Sequence, residues 1–232
     1  MIKPIDLICV AQKIINASNG CIEYVELLCR LDGVPEADIE AYFDSLDTSK
    51  RLDIALWQIG LASELYERSG LISSINIDHN LLTDRVSRFI LLTQLMQSSV
   101  HSILEFTERH QLPDKETLDT FHQTLRTRGF RFALDDFGSR FSNDEKIFKL
   151  FDCVKISGEL AARCVTEEPV RRMLIQALAD ISSAGCTHVV EGVETKAQFE
   201  TLFRLGFRSF QGFLFHRPEP ITSVSSFPVQ IP

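Results

Sequence analysis

Apolar positions along the chain fall into two alternating patterns. Short, mainly apolar runs have the period and β-branched content of strands: Leu7 to Ile15, Cys21 to Leu28, Ile72 to Ile77, Ser102 to Thr107, Phe130 to Asp135, Asp152 to Ile156, Thr187 to Val190 and the shorter Phe207 to Phe210. Between them lie longer stretches with helical signals. Pro113-Asp114 precede Lys115 to Arg126, with Gly129 beyond, and Pro169 opens a run through Ala184 that Gly185 closes. Thr195-Lys196-Ala197-Gln198 has the capping-box pattern ahead of a helix ended by Gly206, and Arg88-Phe89-Ile90-Leu91-Leu92 reads as core-facing helix. Strand–helix alternation implies parallel strands joined by crossover helices. The first two strands are separated only by Asn16-Ala17-Ser18-Asn19-Gly20, too short for a parallel crossover, so they predict a hairpin. The expected fold is α/β, a TIM-like (β/α)8 barrel beginning with an antiparallel hairpin. No low-complexity stretch or Pro/Ser-rich linker divides residues 1–232, which predicts a single domain.

The polar residues within those strands carry the chemistry. Alternate residues of a strand face the same side. One face of successive strands then carries Tyr24 and Glu26, Ser74 and Asn76, Ile103 and Glu105, Ala133 and Asp135, Cys153 and Lys155, and Val189 and Glu191. Each polar group stands at or near the C-terminal end of an apolar run. A lone buried charge costs several kcal/mol, so repeated placement at one end predicts one shared site, at the face where parallel barrels keep their active sites. Glu26, Asn76, Glu105, Asp135, Asp136, Lys155 and Glu191 make a set of oxygen-rich anions with one amide and one ammonium. Such carboxylates need neutralising, because like charges raise one another's pKa. Oxygen ligands suit hard cations such as Mg²⁺ or Mn²⁺. Adjacent Asp135 and Asp136 straddle a strand end, so one can bridge two ions, and paired ions about 3.5–4 Å apart are a standard arrangement for attacking a phosphodiester.

Composition narrows the partners. Lys and Arg number 24 against 32 Asp and Glu, a formal net charge of −8, which argues against gripping a nucleic-acid polymer by bulk positive charge. No run approaches the roughly 18 apolar residues of a spanning helix, and the Pro and Asp of Met1-Ile2-Lys3-Pro4-Ile5-Asp6 interrupt any signal-peptide pattern. The six cysteines (Cys9, Cys21, Cys29, Cys153, Cys164, Cys186) form no C-x-x-C pair and read as small buried hydrophobes of a reducing cytoplasm. The expected location is cytoplasmic, without membrane insertion. His101 and His188 flank strands and read as packing or surface residues.

With these residues in place the chain resembles the EAL domain family, bacterial phosphodiesterases that open cyclic di-GMP to linear pGpG. The likeness runs from about Leu7 to Pro218. Glu26-Leu27-Leu28-Cys29-Arg30 stands for the signature, followed by Asn76, Glu105-Phe106-Thr107-Glu108, Asp135-Asp136-Phe137-Gly138, Val154-Lys155-Ile156, Glu191-Gly192-Val193-Glu194, Gln211-Gly212-Phe213-Leu214-Phe215 and Arg217-Pro218. The resemblance implies that Glu26, Asn76, Glu105 and Asp135 hold one Mg²⁺ or Mn²⁺ and that Asp135, Asp136 and Glu191 hold a second. It implies that Lys155 orients the attacking water, that Glu26, Asp135 and Asp136 take part in catalysis, and that Leu28, Arg30, Gln211 and Arg217 meet the substrate. Glu108 would steady the loop after Asp136 and Glu194 would support the site, while the cap at Thr195 gives Glu194 an equal claim to favouring a helix N-terminus. A homodimer is implied as well.

Taken alone, Asp135-Asp136-Phe137-Gly138 reads as a strand-end Asx turn. A kinase reading of Asp-Phe-Gly fails for want of a Gly-rich loop and a His-Arg-Asp motif. The chain also departs from the family. Ser139-Arg140 replace the usual Thr-Gly, Ser157 stands for a common Asp, Gln12-Lys13-Ile14 for Gln-Pro-Ile and Leu27 for the signature Ala. The connection from Arg30 to Arg51-Leu52-Asp53 is short and lacks Pro-x-x-Phe-Ile. Hydrolysis of cyclic di-GMP is therefore the leading expectation. The altered loop motivates an alternative, an inactive domain that binds cyclic di-GMP or a protein partner as a regulator; action on another phosphodiester is a third. No sensor, receiver or cyclase segment is evident, so regulation is expected from expression, oligomerisation or a separate protein.

Overall fold

The computed structural model describes residues 7–34, 39–98, 100, 102–107, 114–138 and 145–232. Its chain begins with two ten-residue strands, β1 (Leu7–Asn16) and β2 (Ile22–Leu31), paired antiparallel from Leu7↔Leu31 to Ile14↔Tyr24. Local polar chemistry makes the turn between them: the Asn16 side chain accepts from the Ser18 amide and that of Asn19 from the Cys21 amide, while Gly20 takes a φ of 72°. The parallel strands follow as β3 (Ser73–Asn76), β4 (Ile103–Thr107), β5 (Arg131–Phe137), β6 (Cys153–Ile156), β7 (Thr187–Val190) and β8 (Ser209–Phe210). The ladder closes because β1 pairs antiparallel with β8, Ile15 opposite Phe210. A short β9 (Glu219–Pro220) lies against β1 at Val10 and Ala11. The result is a closed mixed barrel of eight strands wrapped by helices, with one reversed strand, as the alternation and the short first link predict.

The helices are α1 (Ile39–Asp44), α2 (Thr48–Ser69), α3 (Asn80–Thr83), α4 (Arg85–Gln97), α5 (Lys115–Arg126), α6 (Gly158–Arg163), α7 (Glu168–Ser183) and α8 (Lys196–Leu205). Asp114 caps α5 by accepting from the Thr117 amide, and Thr195 and Gln198 form the reciprocal capping box of α8. In the long α2, Asp47 caps the start and Gly70 closes the end in the left-handed conformation. Two expectations need correction. The run Arg88–Leu92 is helical but not core-facing throughout: Leu91 is buried, whereas Phe89 is 70% exposed. Consecutive residues spread around a 3.6-residue turn, so no such run can point one way. Cys21 is exposed, unlike the other five cysteines, because it sits at the hairpin turn. Among the described residues no helix is long and apolar enough to cross a membrane.

Two apolar layers follow from strand alternation. The outer one packs strands against helices and includes Val25, Leu27, Ile75, Leu104, Phe132 and Val154. The inner one fills the barrel with Ile14, Tyr24, Ile103, Ala133, Cys153 and Val189, each two residues before a polar group singled out above or on the strand facing one. That inner plug seals the bottom of the barrel and leaves the C-terminal mouth to the polar residues.

Behind the mouth, two backbones come very close. A Cβ on Gly192 would lie 2.8 Å from the Gly158 Cα, and Gly192 has a φ of 60°. Gly33 shares a positive φ of 71° but has open space around it. Gly192→Ala should therefore cost about 1–3 kcal/mol through overpacking, on top of the conformational cost, roughly 1 kcal/mol, that Gly33→Ala alone incurs. Urea midpoints of the two variants check the order.

Candidate active site

The mouth is organised around one side chain. Lys155 projects inward from β6 with no exposed surface. Its Nζ lies 2.7 Å from Glu191 Oε1, 2.8 Å from Glu105 Oε2 and 3.2 Å from both Glu26 Oε2 and Asp135 Oδ1. The four carboxylates come from β2, β4, β5 and the end of β7, residues up to 165 positions apart that only closure of the barrel brings together. Burial alone would lower the ammonium, but the carboxylates of Asp135, Glu105, Glu191 and Glu26 hold its pKa well above the ordinary lysine value. Four carboxylates against one ammonium still leave negative charge in excess. Burial, with Glu26 and Asp135 nearby, therefore drives Glu105 well above the carboxylate range against the pull of Lys155, and burial with Asp135 does the same to Glu191. Glu26 goes the other way: burial raises it, but Lys155 and hydrogen bonds from Gln211 and Asn76 bring it below its ordinary value.

Those two amides frame Glu26. Asn76 Nδ2 donates to Oε1 at 3.3 Å, and Gln211 Nε2 donates to Oε2 at 2.7 Å. Gln211 also reaches Gln12 Oε1 at 3.1 Å, while Gln12 donates to the His216 carbonyl at 3.0 Å. Gln12 lies opposite Glu26 in the hairpin register, so β1, β2 and the segment after β8 are tied at this point. In the sequence Gln12 stands out only within Gln12-Lys13-Ile14; its place opposite Glu26 across the short hairpin is the signal that points to it.

Asp135 and Asp136 share a deformation of β5. Leu134 pairs with Val154 and Phe137 with Ile156, so β5 carries one extra residue here, and Asp136 adopts a φ of 58°. In a regular strand the two carboxylates would point to opposite faces; a bulge with a left-handed residue breaks that alternation. Asp tolerates this conformation better than most residues.

Two cavities meet at Leu28. One, of about 280 Å³, is lined by Arg30, Phe43, Arg51, Asn76, Asp78 and Glu105 among others. The other, of about 270 Å³, is lined by Gln12, Glu26, Glu191, Glu194, Gln211 and Phe213. Arg30 Nη1 donates to the Cys29 carbonyl at 2.8 Å. Arg217 is exposed, its guanidinium 4.5 Å from the Phe213 ring centroid, and lies among the lining residues of neither cavity. Glu194 is exposed; its amide donates to Gln198 Oε1 at 2.9 Å. Glu108 and Ser139-Arg140 lie outside the described residues, as does His101. His188 is a packing residue: Nε2 accepts from the Arg208 amide at 3.0 Å, and the ring meets Phe207 edge-on.

Among the described residues no three His, Cys, Asp or Glu side chains stand ready-made around a cation position; the carboxylates are gathered onto the Lys155 ammonium. The donor set nevertheless fits hard divalent cations. All its ligand atoms are oxygens, its negative charge exceeds what one lysine neutralises, and the buried Glu105 Oε1 has no hydrogen-bond partner.

Comparison with known proteins agrees with this geometry. The EAL domain model matches residues 5–218. A protein of Escherichia coli K12 named as the probable cyclic di-GMP phosphodiesterase PdeA is 36% identical over 121 residues, 51% of this chain and 16% of that protein. The cyclic di-GMP phosphodiesterase PdeA of Borreliella burgdorferi is 26% identical over 223 residues, 90% of this chain and 33% of its own length. The chain thus spans a third or less of these relatives. Among solved structures, the PaMucR phosphodiesterase in its c-di-GMP complex superposes with a TM-score of 0.79 at 24% identity, covering 93% of this chain and 92% of that one. Klebsiella pneumoniae BlrP1 in a manganese/cy-diGMP complex gives 0.78 at 23%, covering 94% and 57%. At these identities the two structures establish the fold.

The raised carboxyls have a measurable consequence. As pH falls, a folded chain that binds protons at Glu105 and Glu191 before the unfolded chain does gains stability between those raised pKa values and 4.5. Glu26, held below 4.5, contributes stability above that window and loses it only beneath. His122 and His188, buried and neutral with pKa values near 3 and 4, oppose the gain below 6.5. The histidines are common to both proteins, so the stability of the chelated wild type relative to E105Q/E191Q should rise as the pH falls from 8 to 5.5. Urea unfolding in a chelator checks it; a pH-independent difference would refute it.

Proposed function

The chain belongs to the EAL domain family, and on that premise we propose that residues 1–232 form a single domain that hydrolyses cyclic di-GMP to linear pGpG with Mg²⁺ or Mn²⁺. The observation that carries this reading is the convergence of Glu26, Glu105, Asp135 and Glu191 on Lys155. A site with one ammonium and this much negative charge repels a phosphodiester unless divalent cations join it. Glu26, Asn76, Glu105 and Asp135 would hold one ion, and Asp135, Asp136 and Glu191 the other. Bound there, such ions neutralise the scissile phosphate and acidify the attacking water.

The remaining work falls to the chain itself. Lys155, fully charged and fixed from several sides, orients the attacking water through its N–H groups and keeps the carboxylates from repelling one another. Attack in line with the 3′ oxygen opens the ring to the linear dinucleotide. Gln211 and Asn76 fix the Glu26 carboxylate, and Gln12 fixes Gln211 in turn. The cavities on either side of Leu28 give a two-base ligand a place for each half, with Arg30 in one lobe and Gln211 in the other; Arg217 would meet the substrate from the rim. Glu108 and Glu194 would support the surrounding loops. The relatives' names and the cyclic di-GMP in neighbouring structures support the substrate class. The reading also takes the protein as cytoplasmic and dimeric, acting on the dinucleotide and on neither membrane nor nucleic-acid polymer.

Incubation with cyclic di-GMP and Mn²⁺ or Mg²⁺ should yield pGpG, with turnover abolished by chelation and in Glu26→Ala. Gln211→Ala, which removes support for a ligand and leaves the ligand in place, should lower activity or metal affinity by about 10–100-fold. Binding of cyclic di-GMP by folded, metal-supplied protein with turnover no greater than that of Glu26→Ala would sink the hydrolase reading and favour the regulator.

A further inference from the structure

The hairpin carries a pair of thiols that the site does not use. Cys9 on β1 and Cys29 on β2 are direct partners in the antiparallel ladder, so their side chains leave the same face. Which kind of pair they form follows from the neighbouring ladder. The Val25 amide donates to the Ile72 carbonyl, at the start of β3, at 3.1 Å. Amide groups alternate in direction along a strand, and the β1–β2 register is unbroken from Leu7↔Leu31 to Ile14↔Tyr24. Val25, Leu27 and Cys29 therefore all turn their amides away from β1. Cys9 and Cys29 occupy a non-hydrogen-bonded position, where antiparallel Cα atoms stand about 4.5 Å apart and side chains are closest. A disulfide spans Cα separations of about 4.4–6.8 Å.

Access comes from one side. Both residues are 8% exposed, but Cys29 is one of the residues lining the 280 Å³ cavity beside Arg30, which gives a small molecule a route to it. The other buried cysteines differ. Cys153 faces Ala133 and Thr187 across its ladders, and the Cys164 and Cys186 thiols donate to backbone carbonyls at 3.1 Å, closer than the 3.8 Å from Cys9 Sγ to the Val10 carbonyl.

We propose that Cys9 and Cys29 are a cross-strand dithiol that a hydroperoxide entering through this cavity converts to a disulfide. The Cys29 sulfur, its proton lost, attacks a peroxide oxygen; the O–O bond breaks and water or an alcohol leaves, giving a sulfenic acid. The Cys9 sulfur then displaces the hydroxyl from that sulfur, forming the S–S bond and releasing a water. Two thiols lose two electrons and the peroxide gains them. Burial lifts both thiols, Cys29 to about 12, so the reaction is slow at neutral pH and its rate climbs with the thiolate fraction, about tenfold per pH unit. Bridging would lock the hairpin beside Leu28 and Arg30 without touching a carboxylate.

The test uses the full chain with Cys21→Ser, which removes the exposed thiol. After exposure to hydrogen peroxide at pH 7.5 and 8.5, alkylation and digestion, mass spectrometry should find the Cys9 peptide joined to the Cys29 peptide. The joined species should weigh two hydrogens less than the sum, come apart with dithiothreitol and form about tenfold faster at the higher pH. Adding Cys9→Ser should abolish the link and leave Cys29 oxidised singly. Recovery of Cys9 and Cys29 as free thiols, as separately oxidised residues, or joined to other cysteines would overturn the proposal.

Discussion

Everything at the mouth of this barrel depends on one electrostatic constraint: a fully buried ammonium held among four carboxylates. Lys155 cannot be buried alone, and Glu26, Glu105, Asp135 and Glu191 cannot be brought together without it. Each partner arrives on a different strand, so the cluster exists only when the ladder is closed by the reversed strand β1. The arrangement keeps a residual strain of its own, since one lysine does not balance four acids. In the function proposed above, that imbalance is what would draw divalent cations to the site and so suit a negatively charged cavity to a phosphodiester.

The scaffold is shaped to serve this cluster. An apolar plug of Ile14, Tyr24, Ile103, Ala133, Cys153 and Val189 fills the barrel beneath it and excludes water from below. The β5 bulge breaks the strand alternation at Asp135 and Asp136, and Asp135 reaches Lys155 from it. The contact between Gly158 and Gly192 lets the ends of β6 and β7 approach, which sets Glu191 within reach of Lys155. Support continues outward through Asn76, Gln211 and Gln12, so the position of Glu26 is fixed from three separate parts of the chain.

Much of this was legible in the residues. Alternation placed Lys155 inward on a strand of apolar neighbours, and it is fully buried there. The same alternation picked out Tyr24, Ile103, Ala133, Cys153 and Val189 as one face, and those residues form the inner plug. Caps at Asp114 and Thr195 gave the starts of α5 and α8 because capping is local chemistry. Where the reading missed, the decisive contacts were remote. Phe89 faces solvent although it sits in an apolar run, because a helix distributes neighbours around its axis and packing chooses among them. Gln12 bonds to Gln211, 199 positions away, and no spacing rule reaches that far.

The sequence by itself determined the order and type of the main elements, the reversed first strand and the set of acids with their lysine, because periodicity, turn chemistry and strand parity act over a few residues. Tertiary structure alone decided which carboxylates meet Lys155, which of them hold protons above the usual range, how the space at the mouth divides around Leu28, and that Cys9 faces Cys29 without a hydrogen bond between their backbones. Those properties arise from distances between segments far apart in the chain, and such distances are fixed only when the barrel closes.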